Sequence, residues 1–138
     1  MPSHGWHERK KQHDFDVCQF LGTVPNRFLD WEVITLFYSA LHFLDSFFAR
    51  AYAIDPIDHM DRKNLVKTYL RIVERNYRLL YHLSRDARYN EVSVGQREIT
   101  KAKSYYGHVK FRLTPVVCIC GHTNLVNKNK CENCGKTL

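Results

Sequence analysis

Residues 26–52 read NRFLDWEVITLFYSALHFLDSFFARAY, and this stretch decides the fold. Leu29, Val33, Leu36, Phe37, Ala40, Leu41, Leu44, Phe47, Phe48 and Ala51 recur three or four residues apart. That spacing lines one side of an α-helix with apolar side chains. Thr35, Ser39, His42, Asp45 and Ser46 break up the run, so the segment is an amphipathic core helix. It falls short of the roughly eighteen apolar residues a membrane span needs. Pro56 ends it, and residues 54–60 read as a short polar loop.

Three more helices are expected around it. One runs from about Glu8 to Leu21, with Phe15, Cys18 and Leu21 on one side, stopped by Gly22 and Pro25. Another starts near Asp61, an acceptable N-cap, and runs to about Ser84 with Leu65, Tyr69, Ile72, Val73, Leu80 and Leu83 facing inward. Residues 90–95 read as a connection. The last helix spans about Gln96 to Leu113 on Ile99, Ala102, Tyr106, Val109 and Leu113. Gly107 inside it costs on the order of 1 kcal/mol. No strand alternation precedes residue 113, so the expected fold is all-α, an antiparallel four-helix bundle over residues 8–114. Residues 1–7 read as a tail in front of it, where His4, His7 and, just beyond, His13 look frayed and not metal-binding. His42, in Tyr38-x-x-x-His42-x-x-Asp45, reads as a structural hydrogen-bonding group.

Residues 115–138 carry a different signal. Cys118-Ile119-Cys120-Gly121 and Cys131-Glu132-Asn133-Cys134-Gly135 are two close-set thiol pairs on turn glycines. Each pair supplies two corners of a tetrahedral Zn²⁺ site. With all four corners protein thiolates, one structural ion is expected and a zinc hydrolase is not. So short a segment builds no core of its own, and the metal would supply its folding free energy. Val116-Val117 and Leu125-Val126 are the expected short strands. Disulfides Cys118–Cys120 and Cys131–Cys134 are the competing reading. Cys18 stands alone, so cysteine usage points to a reduced, cytoplasmic protein. The first residues, MPSHGWHERKKQHDFD, lack the apolar run of a secretory signal.

Charge is unevenly spread. Residues 1–60 are net −3 and residues 61–138 net +10, which implies an anionic partner for the second half. On the third expected helix Lys67, Arg71, Arg75, Arg78, His82 and Arg85 follow one another at helical spacing, with only Glu74 to pair with. Arg97, Lys101, His108 and Arg112 repeat the pattern on the last. Cations one turn apart, about 5.4 Å, suit a phosphate backbone; a solvated face is the alternative. Tyr69, Tyr77, Tyr81, Tyr89, Tyr105 and Tyr106 are interleaved with this charge; most sit beside the apolar stripes, where packing is their expected role, and stacking on unpaired bases is the other. There is no Gly-rich phosphate loop, no HExxH and no serine elbow.

Asp30-Trp31-Glu32-Val33 through Phe37-Tyr38-Ser39-Ala40-Leu41-His42-Phe43-Leu44-Asp45 resembles the "W…FYxALHxxD" signature of small prokaryotic HEPN-like proteins. His59-x-x-Arg62, Tyr77, Leu80-Tyr81 and Ser84-Arg85-Asp86-Ala87-Arg88-Tyr89 extend the resemblance, which covers roughly residues 8–112. It implies a compact helical bundle, commonly a homodimer, that binds RNA, acts as a metal-independent endoribonuclease in a toxin-antitoxin or defence system, or serves without nucleic acid as an adaptor that grips a protein partner such as an antitoxin or defence-complex subunit. The aromatic-rich second helix also suggests a dimer, through surplus apolar surface. In such ribonucleases an Arg precedes a His by a few residues, and Arg75-Asn76 followed by His82 matches. His82 would assist proton transfer around a 2′-hydroxyl and Arg75 would stabilise the phosphate, although seven residues separate them by about 10 Å along a helix axis. The cysteine segment resembles a prokaryotic zinc-ribbon ending, "CxxCGhxN…CxxCGxxL". Its first pair is one residue short, which leaves His122 as a substitute ligand.

Overall fold

The computed structural model describes residues 3–90 and 93–138. Within them five helices are followed by one two-stranded sheet: α1 (His4–Gly22), α2 (Leu29–Tyr52), α3 (His59–Tyr69), α4 (Arg71–Tyr89), α5 (Gln96–Leu113), β1 (Val116–Val117) and β2 (Thr123–Asn124). The helices form a bundle around α2, which packs against α1, α4 and α5. None is long and apolar enough to cross a membrane.

The apolar stripe of α2 is the centre of the core, as its periodicity requires. Val33, Phe37, Ala40, Leu44 and Phe48 are fully buried. Phe43 is buried too and Phe47 partly so, because the surrounding helices take up this surface within one chain. The apolar excess expected of α2 is therefore not exposed. Helix α1 lies antiparallel on it: Ser39 Oγ donates to the Lys11 carbonyl at 2.8 Å, while Ser46 meets His4 Nδ1 at 2.8 Å. The first helix starts at His4, earlier than the expected Glu8. Ser3 caps it, its side chain accepting from the Trp6 N–H, so His4 and His7 belong to the helix. The C-terminus of α2 closes through Ala53 in the left-handed region (φ 55°), with the Ile54 N–H returning to the Phe48 carbonyl.

The single helix expected over residues 61–84 is two helices, so the bundle has five helices and not four. Leu70, at φ −129° and ψ 43°, interrupts the run. Val66, Leu70, Val73, Tyr77, Leu80 and Ser84 are buried, with Arg62 before them, and Tyr69 is 48% exposed. Val73 and Leu80 face inward as expected, while in α3 and at the break the buried positions, Val66 and Leu70, lie one residue later than the expected Leu65 and Tyr69. Helix α4 also continues past Ser84 to Tyr89. Of the expected connection 90–95, residues 91 and 92 lie outside the described residues.

The cysteine segment docks on the end of α5. The Asn127 N–H donates to the Arg112 carbonyl at 2.8 Å, and Arg112 Nη1 donates to the Asn127 carbonyl at 2.7 Å. Val126 joins the hydrophobic core of the bundle. Val116-Val117 pairs as expected, but its antiparallel partner is Thr123–Asn124. Leu125-Val126 is not a strand, because Val126 turns inward to pack on the helices.

Candidate functional site

The four cysteines of residues 118–134 lie together, with every sulfur within 4.8 Å of the others. The closest contacts cross between the two pairs: Cys118 Sγ to Cys134 Sγ is 3.5 Å and Cys120 Sγ to Cys131 Sγ is 3.7 Å. All five cysteines are free thiols, so the disulfide alternative is not adopted. The two loops share one hydrogen-bond scheme. The first cysteine's N–H donates beyond the glycine, Cys118 to His122 O and Cys131 to Lys136 O. The glycine N–H returns to the first cysteine's carbonyl at 2.8 Å for Gly121 and 2.9 Å for Gly135. Both glycines have positive φ, 83° and 72°, which a side chain would strain. The missing residue in the first loop simply tightens its turn by one position. His122 is not among the clustered donors. Asn124 is fully buried, and its amide reaches Cys131 Sγ at 3.6 Å. Such a group could coordinate a metal ion.

A second feature is an open groove of about 360 Å³ between α3 and α4. Buried Val66 and Tyr77 form its floor, and Lys63, Arg78 and Arg85 stand exposed around it. Tyr81 sits within the lining with its ring 5.5 Å from His59 and 5.6 Å from His82, and the Arg85 guanidinium lies 6.0 Å over it. Nearby, Arg88 donates to the Tyr38 hydroxyl at 2.9 Å and lies over the Phe37 and Tyr38 rings. Partial desolvation lowers the pKa of the largely exposed His59 imidazole, with Arg62 and Arg88 adding repulsion. The combination of cations, flat rings and an apolar floor can take an anionic ligand with a planar part.

The expected cationic row is present on α3 and α4. Lys67, Arg71, Arg75, Arg78 and Arg85 are all exposed. Only Arg78 meets a carboxylate among the described residues, Glu74 at 3.3 Å on the surface, a pair worth little. On α5 the row is shorter. Arg97 and Lys101 are exposed. His108, however, donates from Nε2 to the Ile72 carbonyl at 3.0 Å, and Arg112 is turned into the cysteine segment. Those two groups hold α5 to α4 and to the tail.

Arg75 and His82 both lie exposed on α4, but they do not line one cavity. His82 lines the groove together with Arg78, one turn before it, and Arg85, one turn after it; Arg75 does not. Sequence spacing had no means of finding His59 and Lys63 as groove residues, because they come from α3. The signal was the pair of basic residues next to a helix start, visible only once α3 is bent against α4. Comparison of the chain with family models, with curated proteins and with solved structures returns no match.

Proposed function

We propose that the α3–α4 face of this chain binds RNA or another nucleic acid along its phosphate backbone, and that the cysteine cluster holds one structural Zn²⁺. The observation that carries the first part is the row Lys67, Arg71, Arg75 and Arg85, exposed and without a carboxylate partner among the described residues, running beside a groove with Tyr81 in its lining. Unneutralised cations at helical spacing favour a polyanion, and an accessible ring beside them favours an unpaired base. Fluorescence anisotropy with a labelled single-stranded RNA at two salt concentrations tests this. Affinity that ignores salt would sink the reading.

Zinc is supported by the sulfur geometry. A tetrahedral ion with bonds of about 2.3 Å keeps its sulfurs about 3.8 Å apart, and the two close contacts are 3.5 and 3.7 Å. Bound as four thiolates at this spacing, the cysteines would need a cation between them. The resemblance to HEPN-like bundles has one further support. Its two separate motif fragments meet, with Arg62 of His59-x-x-Arg62 bonded to Asp45 of the α2 signature.

A second reading is metal-independent cleavage of the bound RNA, favoured by the position of His82 between two groove arginines. In that case Arg78 or Arg85, not Arg75, stabilises the phosphate while His82 moves the proton. EDTA-resistant cleavage that disappears in His82→Ala is the expected outcome; RNA left intact by concentrated wild-type protein removes this reading.

A further inference from the structure

Between them α1, α2 and the segment after α2 bury a polar cluster that neither the groove nor the cysteines use. His7 is 2% exposed, His42 8% and Asp45 2%. One donor atom from each lies within 4.8 Å of the other two. His7 Nδ1 and His42 Nδ1 are 3.1 Å apart. Two nitrogens bound at 2.0–2.1 Å to a single tetrahedral ion would be roughly 3.3 Å apart. The far edge of each ring faces a carboxylate: His7 Nε2 is 3.4 Å from Asp55 Oδ1, and His42 Nε2 is 3.9 Å from Asp14 Oδ2. These are ion-pair distances. Buried His7 Nε2 and Asp14 Oδ2 make no hydrogen bond among the described residues.

The 3.1 Å contact between the Nδ1 atoms has two readings. Either one ring's Nδ1–H donates to the other's lone pair, or both hydrogens sit on Nε2, facing Asp55 and Asp14, and a cation lies between two Nδ1 lone pairs. The second places a donor toward each carboxylate. Asp14, Asp45 and Asp55 border the pair, against Arg62 on Asp45 at 2.6 Å and Lys10 on Asp14 at 3.2 Å.

We propose that His7 Nδ1, His42 Nδ1 and a carboxylate oxygen of Asp45 form a second metal site, for a divalent ion of the zinc class, which pins α1 to α2. Two imidazoles and a carboxylate are a donor set that suits Zn²⁺. The carboxylates behind the rings occupy the outer positions that fix metal-binding tautomers. Asp45 keeps its bonds to Arg62, because an ionised carboxylate offers about four acceptor sites. The edge-on Trp6 ring, 5.1 Å from His7 and 5.2 Å from His42, packs against both imidazoles. This inference is independent of nucleic-acid binding.

The test uses the full chain, reduced, stripped with a chelator and then titrated with Zn²⁺ under elemental analysis. Wild type is expected to hold two equivalents, His7→Gln one, and the Cys118→Ser/Cys131→Ser variant one. Retention of the same stoichiometry in His7→Gln as in wild type overturns the proposal. Should His7→Gln lose helicity, the wild type itself decides. Zinc is expected to shift the Nδ1 resonances of both histidines in imidazole ¹⁵N spectra. Unshifted His7 and His42 nitrogens at saturating Zn²⁺ mean that a shared proton fills the gap, and the proposal fails.

Discussion

Arg62 grips Asp45 with two hydrogen bonds, Nε to Oδ1 at 2.6 Å and Nη2 to Oδ2 at 2.9 Å, and both residues are almost completely buried. The pair fastens the start of α3 to the middle of α2. It thereby sets the angle at which α3 meets α4 and the position of the groove between them.

Removing one partner leaves the other as an uncompensated buried charge. Arg62→Met is expected to destabilise the chain by about 3–5 kcal/mol, read from the urea midpoint. Asp45→Leu combined with Arg62→Met should recover a large part of that loss, because both charges go together. A single variant within about 0.5 kcal/mol of wild type would show that the pair is marginal.

Chelation should release the cysteine segment first, and the apolar core should keep the helices folded even when the ion proposed between α1 and α2 is removed. The core of the bundle is built by α1 to α5, and only Val126 of the tail joins it. Excess chelator is expected to make Cys118, Cys120, Cys131 and Cys134 reactive toward iodoacetamide. Cys18 should stay protected, since it is 4% exposed and burial raises its thiol pKa. Mass spectrometry counts the labels. Five labels on a chain that keeps its helical circular dichroism would contradict the burial of Cys18.

Neutralising the cationic row should change the salt dependence of nucleic-acid binding more than its sequence preference. Each single-strand phosphate contact contributes about −0.7 to the slope of log K against log salt. Replacing Lys67, Arg71 and Arg78 with Gln is expected to flatten the slope by about 2, as measured by anisotropy. Neutralising Arg112 should instead loosen the tail, because its guanidinium is bonded to Asn127.

His59 makes stability depend on pH. Its folded-state pKa lies below the ordinary 6.5 through partial desolvation, then through Arg62 and Arg88, against the weaker pull of Asp58. A histidine held below its unfolded value contributes stability above pH 6.5 that is lost as pH falls through its folded value. Wild type should therefore lose more stability than His59→Gln between pH 7.5 and pH 5, in paired urea titrations. Parallel losses in the two proteins would refute this.

The α2 stripe was legible in the chain because helical periodicity is a local property, and Val33, Phe37, Leu44 and Phe48 are buried where that period puts them. The cysteine cluster was legible for a similar reason: two short loops with glycines constrain their own geometry, and all four sulfurs come together. The α3–α4 register was legible only in part. Val73 and Leu80 are buried where the spacing puts them, but Leu65 and Val66, or Tyr69 and Leu70, are neighbours that could each face the core, and the packing opposite decides which of each pair turns inward. The same holds for polar groups. Nothing near His7 in the chain indicates that it meets His42 thirty-five residues later, and nothing near Arg112 indicates that it bonds to Asn127. Periodicity and spacing therefore set which segments are helices and which cysteines cluster. The choice among equivalent faces, and the fate of each histidine and arginine, was made by contacts distant in sequence, since burial and charge pairing depend on what lies opposite.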